Sequence, residues 1–91
     1  MTVLQEYMAT QGQLFQTWPI EGAEVKFYGP FGSRQDLEAI EFTNSEGKVT
    51  YEYEYRAIIP VKIMVQGNLV LEDHVILEVG ETTQKTFVIP E

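Results

Sequence analysis

From residue 11 onward the apolar side chains recur with a period of two, most clearly in a few stretches. Ala23, Val25 and Phe27 alternate with Glu24, Lys26 and Tyr28, and Val61, Ile63 and Val65 alternate with Lys62, Met64 and Gln66. Successive side chains of an extended chain point to opposite faces, so each set marks a strand with one buried face. From residue 11 onward the apolar runs are short, β-branched and punctuated by Gly, Pro and Asn. The pattern predicts strands near 12–17, 22–28, 37–43, 48–56, 59–66, 69–78 and 84–89. Gly-bearing reversals at SEGK (45–48), QGNL (66–69) and VGETTQ (79–84) favour antiparallel pairing. Seven strands in about eighty residues imply one all-β, seven-stranded antiparallel sandwich over residues 11–91.

The first ten residues carry a different period. Val3, Leu4, Tyr7 and Met8 fall at i, i+1, i+4 and i+5, one face of a short helical turn. A helix this short is marginal in water and needs a surface to lie on, so residues 1–10 read as a helical N-terminal arm that either packs on its own domain or docks onto a partner. The stretch KVTYEYEYR (48–56) sets Val49, Tyr51, Tyr53 and Tyr55 against Lys, Thr, Glu and Arg. Because Val49 shares the parity of the tyrosines, the Tyr face is expected to be the core face. Tyr55 and Trp18, nearer element ends, should stay partly exposed. The longer connection YGPFGSRQD (28–36) presents Phe31 either as a binding tip or folded back over the core edge.

Charge narrows the partners. Six Lys+Arg against fourteen Asp+Glu give a formal charge of -8, which repels phosphate backbones and anionic lipid headgroups. Direct nucleic-acid and membrane binding are therefore not expected, and other protein subunits are. No run of eighteen apolar residues occurs, and no basic, apolar leader opens the chain. With no cysteine there is no disulfide and no thiol chemistry, and the redox compartment stays open.

Catalytic and metal chemistry find little to work with. Glu72, Asp73 and His74 form the one acid-plus-imidazole cluster, but adjacent strand residues face opposite ways, so only Glu72 and His74 can share a face. Two ligands fall short of a dedicated metal site. With one histidine, Ser33 or Ser45 would have to reach it from turns to become a nucleophile. Glu52 and Glu54 sit on the exposed parity of their strand, where carboxylates serve solubility. The chain is expected to be non-enzymatic and to use no cofactor or metal.

The order of GQLFQTWPIEGAEVKFY, then FTNSEGKVTYEY, then HVILEVGETTQKTFVI, over roughly residues 12–89, resembles the carboxypeptidase-regulatory-like and collagen-adhesin B-type domains. The resemblance implies an Ig-like or transthyretin-like, prealbumin-type sandwich acting as a spacer, stalk, adhesion or assembly element. Some adhesin-type members carry an internal Lys-Asn isopeptide bond. Here QKTFVIP holds no Asn, and Asn44 and Asn68 lie at turn positions, so no such crosslink is expected. The reading is thus a structural or interaction module, a small subunit or appended domain of a larger assembly such as a virion or cell surface. Its candidate partner-binding residues are Val3, Leu4, Tyr7, Met8, Trp18 and Phe31. Two rival readings remain: an acidic inhibitor or nucleic-acid mimic that binds a basic protein groove, and a carbohydrate-binding module using Trp18, Tyr28 and Phe31.

Overall fold

A computed structural model describes residues 1–8, 15–32, 36–52, 55–80 and 84–90, with the side chains of Tyr7, Met8 and Phe15 also outside the description. Seven strands follow in chain order: β1 (Thr2–Met8), β2 (Phe15–Pro19), β3 (Glu24–Tyr28), β4 (Leu37–Phe42), β5 (Ala57–Val65), β6 (Asn68–Leu77) and β7 (Thr86–Ile89). They form two sheets, ordered β2-β1-β7 and β4-β3-β5-β6. Neighbours are antiparallel except β1 and β7, which run parallel. Among the described residues there is no helix.

Alternation builds the core. Val25 and Phe27 of β3 are buried while Glu24, Lys26 and Tyr28 are partly exposed. Ile59, Val61 and Ile63 from β5, Val75 and Leu77 from β6, Val3 from β1, and Phe87 and Ile89 from β7 complete one buried cluster fed by both sheets. Two sheets sharing a single core fit a sandwich. The β5–β6 hairpin closes through Gln66 and Gly67 at φ 52° and 80°. Two central residues with positive φ make the type I′ turn whose twist matches paired strands, so the QGNL reversal behaves as its sequence predicts.

The N-terminal segment departs from expectation. Residues 2–8 are not a helical arm but β1, the middle strand of the three-stranded sheet, with Val3 fully buried. The i, i+4 repeat of Val3 and Tyr7 is equally a period-2 repeat running through Gln5, so a segment this short satisfies both templates. Pairing decides between them. Gln16 to Pro19 lie along one side of β1 and Thr86 to Ile89 along the other, while a lone helix of this length has nothing to offset its nucleation cost.

The expected strand at 48–56 is the complementary correction. Lys48 makes only an isolated bridge to Thr2, and Val49 exchanges backbone hydrogen bonds with Met1, both at 3.0 Å. The described residues beyond it, up to Arg56, belong to no strand, and Tyr53 and Glu54 lie outside the description. The side-chain reading fares better: Val49 is buried and Tyr51 stacks on Phe27, centroids 4.3 Å apart and planes 8° from parallel. One strand lost and one gained leave the total at seven.

A polar junction holds this crossing in place. The buried Thr43 hydroxyl accepts the Ala23 N–H at 2.8 Å and donates to the Ile20 carbonyl. Next to it, Asn44 Oδ1 accepts the N–H groups of Glu46 and Lys48 at 2.9 and 3.0 Å, the side-chain-closed turn typical of Asn. That turn delivers the Gly47 carbonyl to the Val3 N–H at 2.7 Å.

Candidate functional surface

Ladder register fixes which side chains share the outer face of the four-stranded sheet. Directly opposed residues point the same way. Phe42, Glu24 and Met64 form one row across β4, β3 and β5, with Leu69 of β6 opposite Met64. Ile40, Lys26, Lys62 and Glu72 form the next. Pro60 opposes His74, and Ile58 opposes Ile76. The face is therefore charged in the middle and apolar at its margins: Phe42 is 62% exposed, Leu69 48%, Ile58 44% and Ile40 41%.

Of the six candidate partner-binding residues, Val3 is a core residue, and Leu4 is partly buried on the opposite face of β1 between Pro19 and Val88. They do not form a common stripe. The side chains of Tyr7 and Met8 lie outside the description, although their backbones pair with Gln16 and Phe15. Trp18 and Phe31 are about half exposed, on β2 and in the connection after β3. The Phe31 N–H bonds to the Ile58 carbonyl at 3.0 Å, which anchors that loop to the edge of the apolar margin. Lys62 Nζ stands 5.2 Å from the centroid of the Tyr28 ring, so a cation already occupies a ring face that a sugar would need.

Strand parity separates Glu72 and His74 from Asp73, but the His74 imidazole still comes within reach of the Asp73 carboxylate, Nδ1 to Oδ1 3.4 Å. Glu72 and His74 lie on the outer face, whereas Asp73 meets Lys85, whose Nζ is 3.4 Å from Asp73 Oδ1 and donates to the His74 carbonyl at 2.8 Å. The Asp73 carboxylate also accepts the His74 N–H at 2.7 Å. Partial burial pushes the Asp73 pKa up, but the His74 N–H bond, the charge and hydrogen bond of Lys85 and the nearby imidazole outweigh it, leaving the carboxyl below its ordinary range. Lys85 precedes β7 in one sheet and Asp73 sits on β6 in the other, so the cluster pins two sheet edges together. Among the described residues no group of three or more acidic or histidine side chains could hold a metal ion.

Comparison of the chain with known protein families, curated proteins and solved structures gives no match. What sequence reasoning missed is the exposure of β4. LEAIEF reads as an ordinary half-buried strand, yet only Ala39 of its six residues is even partly buried. The signal lay in its two glutamates, Glu38 and Glu41, which by sequence parity leave neither face wholly apolar, although the register shift of β4 brings Leu37 to the outer face with Ile40 and Phe42.

Proposed function

We propose that the chain is a non-enzymatic structural and interaction module, a small subunit or appended domain that binds other protein subunits in a larger assembly. The observation that carries this reading is the exposed apolar margin of the four-stranded sheet, at Ile40, Phe42, Ile58 and Leu69. Exposed apolar side chains of this size are what a partner protein covers, and here they stand at the margins of a charged centre rather than in one patch. A transthyretin-like sandwich is the finer fold type we favour. The three-plus-four split supports a sandwich, whereas the observed sheet memberships differ from the immunoglobulin pattern, in which the first, second, fourth and fifth strands share a sheet. The carbohydrate-binding alternative is weakened by the Lys62 ammonium over Tyr28.

Chemical cross-linking of the protein in the cells that make it tests the reading. The wild-type chain should yield discrete protein-protein products. A variant carrying Ile58→Asp and Leu69→Asp, both at exposed positions, should melt like the wild type and lose those products. A wild-type chain that stays monomeric throughout would overturn the proposal.

A further inference from the structure

Each sheet has two outer strands whose backbone groups can template another strand, and three of the four are blunted. β2 has five residues and ends in Pro19. β7 has four and is followed by Pro90. β6 is long, but Pro60 opposite His74 lacks an N–H, so the pair is not hydrogen-bonded and the His74 N–H and carbonyl turn to the edge. There the carboxylate of Asp73 takes the N–H and Lys85 Nζ takes the carbonyl. Short length, proline and an inserted lysine are the usual devices by which edges are closed.

β4 has none of the three; what guards it is a register shift at the Leu37 end, away from Ile40 and Phe42, and the inward-facing Glu38 and Glu41, whose charge a basic partner would offset. Thr43 N–H bonds to the Ala23 carbonyl, so alternation along the antiparallel ladder points Glu41 and Ala39 towards β3 and turns the N–H and carbonyl of Ile40 and Phe42 outward. The side chains divide as sharply. Leu37, Ile40 and Phe42 stand on the outer face, while Glu41, opposite buried Val25, and Glu38, which accepts the Tyr51 hydroxyl at 3.2 Å, lie on the inner side. The strand carries two glutamates and no lysine or arginine.

We propose that β4 is a strand-addition site: an extended segment of a partner protein, with apolar residues alternating with Lys or Arg, joins the sheet beyond β4 as a fifth strand. This rests on the interaction-module reading above and supplies its partner chemistry. The partner's apolar positions cover Ile40 and Phe42, its basic positions meet Glu38 and Glu41, and its backbone bonds to the outward groups of Ile40 and Phe42. A second copy fits poorly, because two chains of formal charge -8 would bring their glutamate-bearing strands together.

The test uses an acetylated ten-residue peptide alternating valine and lysine, a scrambled peptide of the same composition, and one alternating valine and glutamate. Amide exchange of the full chain should slow at Ile40 and Phe42 with the alternating Val/Lys peptide only, and Phe42→Lys should weaken its binding at least tenfold while the melting curve is kept. Equal binding of the scrambled peptide would reduce the effect to charge attraction and overturn strand addition. Slowing at Ile40 and Phe42 that grows with protein concentration and needs no peptide would assign the edge to a second copy and overturn the basic-partner proposal. No effect of any peptide, alongside cross-links that still depend on Ile58 and Leu69, would remove the β4 proposal and leave the module reading standing.

Discussion

Gly47 shows how far one residue's geometry can reach. Its φ is 74°, and a Cβ placed there would lie 2.6 Å from the Val3 carbonyl oxygen and 3.0 Å from Pro19 Cβ. The Val3 carbonyl already accepts the Ile20 N–H at 3.1 Å, so it cannot retreat without breaking that bond. Gly67 has a similar φ of 80°, but a Cβ there would meet nothing within 4 Å, so it isolates the backbone term. Gly67→Ala should therefore cost about 1–2 kcal/mol, the left-handed penalty alone. Gly47→Ala should cost at least about 2 kcal/mol more, since backbone atoms must move as well. Paired denaturant melts check this, and equal losses would mean that the 44–49 turn is not locked against β1. The Gly47 requirement was half legible in the sequence. SEGK announces a turn that needs positive φ, but only the fold reveals that the turn's other side is the first strand of the chain.

At the scale of elements, periodicity read direction better than pairing. Val49 and Tyr51 face inward as their parity says, yet none of the described residues from Val49 to Arg56 joins a strand, because alternation records which side of a segment is buried and not whether its backbone finds a neighbour. β3 and β5 were legible because each carries alternating buried positions, and β6 because the QGNL reversal returns the chain directly onto β5. β1 was not, since Val3, Leu4, Tyr7 and Met8 fit a helical stripe in a window too short to exclude a strand. Substitution separates the two geometries. A helical stripe would make Val3 and Leu4 equivalent, whereas β1 puts Val3 in the core and Leu4 on the outer face. Val3→Thr should cost about 1–3 kcal/mol through a buried hydroxyl, and Leu4→Thr less than about 1 kcal/mol. Chemical unfolding of the two variants measures the difference, and equal costs would contradict the strand assignment.

For the whole molecule, the two sheets are joined by the shared core and, at one pair of edges, by Asp73 and Lys85. The Asp73 carboxyl is held below its ordinary range in the folded state, which fixes the sign of its pH dependence. A lowered folded pKa means that the contribution is complete above the unfolded value and disappears as pH falls through the folded one. Acid also neutralises many of the fourteen acidic side chains and relieves the repulsion of a chain with formal charge -8, so the wild-type profile alone mixes opposing effects. Subtracting the profile of Asp73→Asn removes the common part. The difference should be about 0.2–1 kcal/mol near neutrality, in keeping with a pair whose side chains are about one-third exposed, and should fade in acid as the pH falls through the lowered folded-state value. Raising salt to 1 M shortens the screening length to about 3 Å, so the Lys85 share should shrink while any share carried by the His74 N–H persists. Thermal melts of both proteins at several pH values and two salt concentrations make the measurement. A difference that stays constant from neutrality down to strong acid would show that the Asp73 charge does not tie the sheets, and that any loss in the variant comes from packing alone.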